Sequence, residues 1–247
     1  MPSTLVTVGV GLAVTVSLLT VVAAAIAMVG KLGVGRQIVI AAVRAVLQLA
    51  AVSLIIAAII ASLPLTLLFV AMMAAVASGT AGRRMTRTRS GWWAALPVLA
   101  GSTPVVVGLL VGGLVPTTGL AVIPVAGILI GGAMTATALA GRRALDEIRL
   151  RRGEVEAALS LGLSDRDAAM EICRPAAGQA LMPALDQTRT VGVVTLPGAF
   201  VGMLLAGASP VDAGAVQLFV LVALLAVQTT AVVLVVELVA RGRIHRT

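Results

Sequence analysis

The sequence predicts an all-α, polytopic membrane protein with about seven transmembrane helices and one long charged loop on the cytoplasmic side. Three observations predict it. Sixty per cent of the 247 residues are hydrophobic and the mean hydropathy is +1.11, where soluble domains run near half apolar or less. The apolar residues fall in runs near the length a bilayer core demands, about 20 residues as helix. The basic residues collect between alternate runs.

The runs cover residues 5–29, 38–61, 65–82, 94–114, 120–140, 191–207 and 215–239. The first is too long for a signal-peptide core and lacks a basic leader, so it reads as a span. Lys31 and Arg36 lie in the first connection and Arg83, Arg84, Arg87 and Arg89 in the third. Arg142, Arg143, Arg149, Arg151, Arg152, Arg166, Arg174 and Arg189 lie in segment 141–190, and Arg241, Arg243 and Arg246 in the tail. The intervening connections carry no Lys or Arg. Positive loops stay in the cytoplasm, which places the N-terminus outside, the C-terminus inside and 141–190 in the cytosol. Residues 1–247 thus read as a single transmembrane domain with a cytoplasmic segment at about 141–190.

Within that segment Leu145, Ile148, Arg152, Val155 and Leu159 recur at helical spacing, so the fifth span should continue as helix until Gly162. Arg152 and Glu156, four apart, can pair on its surface. Gly162 suits a helix end at positive φ, and Pro175 should stop the following helix. Ser164 with Asp167 three residues on is a capping-box-like start. The expectation is helix, tight corner, short helix, corner. An apolar stripe this far from lipid needs a protein partner: its own chain, a second copy or another subunit.

Several classes fall away. The single cysteine, Cys173, excludes an internal disulfide and a multi-thiolate metal site within one chain. A net charge of +8 without tyrosines, and with basic residues dispersed between apolar runs, argues against nucleic acid. The only lysine, Lys31, is in Gly30-Lys31-Leu32 with no hydroxyl after it, so a Walker A phosphate loop is absent. The chain reads as a non-catalytic subunit binding no cofactor. ATP and Mg would sit on a separate chain if transport is ATP-driven. Seven spans are few for a complete pathway, so a homodimer is the economical inference.

Glu156-Ala157-Ala158, Gly162, Ile172 and Pro175 stand in the order of the EAA loop of ABC-transporter permeases, with Arg174 where that pattern usually has Leu. The resemblance implies a coupling helix docking into an ATPase subunit, with Glu156, Gly162, Ser164, Asp167, Ile172 and Pro175 as coupling residues. Ile123-Pro124-Val125-Ala126-Gly127, Gly131-Gly132-Ala133-Met134, residues 183–198 (PALDQTRTVGVVTLPG) and Leu205-Ala206-Gly207-Ala208-Ser209-Pro210 resemble the FetB-like iron-export permease family. Gly132 departs from that family's common Asn. The resemblance implies a dimeric permease in the bacterial plasma membrane, paired with two FetA-like ATPase subunits and exporting iron or a related metal cation.

For the pathway, Arg44 lies about two turns into the second run with Gln48 on the same face. An intramembrane charge costs about 2.5 kcal/mol or more at the bilayer centre and is usually functional or paired, or it snorkels to the edge; Glu237 is a potential partner. Asp186 and Arg189 flank the sixth run, as a cation port or as a surface ion pair. That run is short and broken by Leu196-Pro197-Gly198, and interrupted spans free carbonyls to line a site. Met72, Met73, Met134 and Met203 are available thioethers, which suit Cu(I) better than iron, against core filling as their ordinary role. His245, the only histidine, reads as solvated. The alternatives are an ABC permease for another solute, an ATP-independent secondary transporter or channel, and a non-transporting scaffold.

Overall fold

The computed structural model describes residues 9–60 and 62–246. Among these residues all regular structure is helical, as the bilayer requires: without water, backbone groups must pair within their own segment. The chain divides into two compact units at the Ala61–Ser62 junction. The first holds α1 (Val10–Val29) and α2 (Gly35–Ile60). Their tight connection places Lys31 at φ 52 and Gly33 at φ 70, and a side chain at Gly35 would press on the Ala24 carbonyl, 3.2 Å away.

The second unit is built on α3 (Leu63–Met85), α4 (Ala95–Val111, entered through a 3-10 turn at Arg89–Ala94), α5 (Gly119–Leu150) and α10 (Pro210–Ala240). Small residues let these helices approach closely, as membrane bundles require in place of a hydrophobic drive. Ala81, Ala126, Ala133, Ala140 and Ala231 are buried along the seams. At Gly101 a Cβ would sit 2.9 Å from the Val227 carbonyl oxygen, and at Gly82 it would meet the backbone of Gly91. Two buried serines are satisfied within their own helices, Ser78 and Ser102 donating to the carbonyls of Ala74 and Val98 at 2.8 and 2.7 Å. The pairings Met73 with Gly127, Met85 with Gly141, Leu224 with Gly132 and Val235 with Gly141 show that α3, α5 and α10 run in the same direction.

The basic segments of this unit meet at one end. Arg246 donates to the Met85 carbonyl at 2.8 Å and pairs with Asp146. The His245 carbonyl accepts from Thr86, Thr88 and Ser90 at 3.0, 3.2 and 3.1 Å, and Arg243 stacks over Trp93 at 5.5 Å. The third connection, the end of α5 and the tail therefore share a side, as the charge pattern requires.

Among the described residues, six helical stretches are long and apolar enough to cross a membrane: α1, α2, α3, Arg89–Val111, α5 and α10. Residues 5–8 of the first expected span and residue 61 of the second lie outside the described residues. The expected span 191–207 is the correction. It is an unwound stretch, residues 191–197, followed by α9 (Gly198–Leu205), whose eight residues reach only about 12 Å. Hydropathy detects that this stretch is apolar but not that Gly192 turns at φ 82 and that Val191 bridges back to Thr195.

Candidate functional site

The charged segment builds an elbow. α5 runs past the apolar core and ends at Leu150, earlier than the expected continuation to Gly162. Arg151 breaks it at φ −109, ψ 32 and serves as the junction to α6 (Arg152–Ser160). Its guanidinium pairs with Glu154, which raises the Arg151 pKa and lowers that of Glu154. The Arg152–Glu156 pair forms at 2.9 Å.

α6 ends in a Schellman motif. Leu163 N–H donates to the Ala158 carbonyl at 3.2 Å and Gly162 N–H to that of Leu159 at 2.9 Å, with Gly162 at φ 91. Two residues later Ser164 caps α7 (Asp165–Gly178): its hydroxyl oxygen accepts from Asp167 N–H at 3.2 Å and its O–H donates to the Asp167 carboxylate at 2.7 Å. That bond, with Arg166 beside it, holds the Asp167 carboxyl below the usual carboxylate range. Pro175 does not end α7, contrary to expectation. It and Glu171 lie on the exposed face, where water can serve the Glu171 carbonyl left without a helical N–H, while the inner face continues to Ala177.

That inner face is apolar. Ala168, Ala169, Met170, Ile172, Cys173 and Ala177 are buried, and α7 packs on α5 and α10. Ile172 therefore faces its own chain. Burial, with Glu147 nearby, pushes the Cys173 thiol up to about 11. Arg166 grips Glu237 of α10 with two hydrogen bonds of 2.7 Å, which raises the Arg166 pKa, and Arg241 joins the same carboxylate at 2.6 Å. Glu237 is thus held by Arg166 and Arg241 of its own unit, where the sequence offered it to Arg44. The α7 side of the elbow is mounted on α10. α6 contributes no buried residue, and the turn exposes Leu161 by 83%.

The expected pathway residues are more scattered. Arg44 and Gln48 are exposed on α2, and Met134 is half-buried on α5. Asp186 and Arg189 make an exposed pair at 3.6 Å on α8 (Met182–Thr190). Pro197 caps α9 and Gly198 opens it, with Met203 half-buried further along. Because Gln179 meets Arg143 at 3.1 Å, near the basic end, and Pro210 begins α10 at the other, residues 179–209 must traverse the unit. They do so as α8, the unwound stretch and α9, in contact with α10. Among the described residues, no three or more His, Cys, Asp or Glu side chains gather as a metal site. Composition did not single out two buried polar side chains: Gln217 in α10 and Thr137 in α5, whose Oε1 and Oγ1 lack hydrogen-bond partners among the described residues.

Fold and site together define a multi-pass, all-helical membrane protein whose most structured polar element is a helical elbow fastened to its last span. The chain belongs to the UPF0014 family: residues 10–244 match the Uncharacterised protein family (UPF0014). It is 34% identical over 230 residues to the UPF0014 membrane protein STAR2 of Oryza sativa subsp. japonica, covering 91% of this chain and 81% of that one. It is 31% identical over 193 residues to the UPF0014 membrane protein YjkA of Bacillus subtilis (strain 168), covering 77% of each. It is 30% identical over 233 residues to the probable iron export permease protein FetB of Escherichia coli (strain K12), covering 91% and 88%. No solved structure matches the chain.

Proposed function

We propose that the chain is the membrane permease subunit of an ATP-driven ABC exporter for iron or a related metal cation. It acts as a homodimer with two copies of a separate ATPase subunit that holds ATP and Mg. One observation carries the reading: the elbow presents an exposed apolar turn, Leu159, Leu161 and Leu163, next to a helix, α7, that is locked to α10 through Arg166 and Glu237. A movement imposed on the turn by a docked ATPase passes along α7 to α10. The broken traverse of residues 179–209 lies against that helix, and its unwound residues 191–197 are the part most easily rearranged. Similarity to a probable iron export permease supports the cargo and direction. The basic end, and with it the C-terminus, faces the cytosol of the plasma membrane.

Reconstitution with the ATPase tests the reading. Inside-out vesicles containing both chains should accumulate Fe2+ only with ATP. Gly162→Pro should leave membrane insertion intact and separate hydrolysis from transport. Fe2+ movement that persists without any ATPase would instead identify an ATP-independent transporter or channel.

A further inference from the structure

Where α3 gives way to α4, the second unit has an open cavity of about 390 Å3 between Gly79, Gly82, Arg83, Arg87, Arg89 and Trp92. A second of about 340 Å3 adjoins it, sharing Arg83 and Arg87. The loop that forms both is tied down by the three hydroxyl bonds to the His245 carbonyl. The space also depends on the Gly82–Gly91 approach: a Cβ on Gly82 would fall 2.3 Å from the Gly91 carbonyl oxygen, and one on Gly91 would sit a tight 3.1 Å from that of Gly82.

The cations here converge on one space without being neutralised, unlike the paired arginines of α7, α10 and the tail. Arg166, Arg241 and Arg246 are each in an ion pair. Arg83, Arg87 and Arg89 are exposed and make no hydrogen bond or ion pair among the described residues. Arg83 lies in the last turn of α3, where a cation is already favoured by the helix dipole, but Arg87 and Arg89 lie beyond that helix and gain nothing from it. Below the cationic rim the surroundings turn apolar. Trp92 is 76% exposed and Val76, one turn before the cavity floor, is 63% exposed, as befits an indole at the membrane interface. Guanidinium forks match phosphate oxygens bidentately, and basic pockets between spans take anionic lipid head groups.

We infer that this cavity binds the phosphate head group of an anionic phospholipid, with Arg87 and Arg89 as its main ligands, Arg83 beneath them and the acyl chains passing Trp92 and Val76. The site stands apart from the elbow and does not depend on the transport reading.

Native mass spectrometry of the full chain, released from micelles containing either phosphatidylglycerol or phosphatidylcholine, tests it. The wild type should retain phosphatidylglycerol, and Arg87→Gln/Arg89→Gln should weaken that retention roughly tenfold or more. Arg142→Gln/Arg149→Gln, which removes the same charge outside the cavity, should leave it within about twofold. Arg87→Lys/Arg89→Lys should fall between, because charge remains while the fork is lost. Equal retention of both lipids by the wild type would overturn the proposal, and this comparison decides even if a variant fails to fold. Equal losses in the two Gln pairs would overturn it in favour of diffuse surface charge. Displacement by millimolar inorganic phosphate as complete as by lipid would reduce it to a free-anion site, and a bound acidic polypeptide in place of lipid would reassign it to a protein contact.

Discussion

α6 and α7 are neighbours in sequence, joined by one tight corner, yet they differ in what holds them. α7 buries six residues and is pinned to α10 by a two-pronged ion pair. α6 buries none and is held mainly by its contact with α7. The difference teaches that one charged segment can contain two parts held in opposite ways, a mount packed against its own chain and an exposed handle. Buried apolar area fixes the first, and its absence leaves the second available.

Placing a carboxylate on each side tests this asymmetry most severely. Cys173→Asp buries a charge without a partner and should destabilise the second unit by about 3 kcal/mol or more, seen as a lower unfolding midpoint in detergent. Leu161→Asp lies on the exposed turn and should change stability by less than about 0.5 kcal/mol while abolishing ATPase association. Equal stability losses would break the comparison.

The next effect falls on the corner. Gly162→Val forces a β-branched residue to φ 91, at a cost of about 1–2 kcal/mol. Hydrogen exchange should accelerate across residues 158–164 and remain unchanged across the buried face of α7. Slower in size comes Arg166→Leu. The pair it removes is partly exposed, so the stability loss should be about 1 kcal/mol, yet ATP-dependent transport should drop at least tenfold while the ATPase still binds.

The smallest effect is a pH dependence. Asp167 has a lowered folded-state pKa, caused first by the Ser164 hydroxyl and then by Arg166. Its contribution is therefore complete above the ordinary carboxylate value and is lost as pH falls through the lower folded value. Amide exchange at the start of α7 should rise only in strong acid, and Ser164→Ala should shift that rise toward higher pH.

What the sequence made legible follows the range of the interactions. The Ser164–Asp167 cap, the Arg152–Glu156 pair and the positive φ at Gly162 span three or four residues, and residue type alone predicts them. Arg166 and Glu237 are separated by 71 positions, and nothing local marks them as partners. Glu237 stood out only as an acid near the end of an apolar run. Pro175 misled because a proline's cost depends on which face it occupies, and that is set by tertiary packing. The expected sixth span misled as a continuous helix, not as a crossing, because hydropathy measures what a segment tolerates around it, whereas its backbone path turns at Gly192 and packs on α10. Gln217 and Thr137 were invisible for the same reason: burial is a property of neighbours.

Photo-crosslinking from single positions tests the central claim most directly. A crosslinker introduced at Leu161, in membranes with ATP present, should capture an ATP-hydrolysing subunit, and one at Ile172 should give only bonds within the chain. Capture of that subunit from Ile172, or none from Leu161 under any nucleotide condition, would contradict the division into handle and mount.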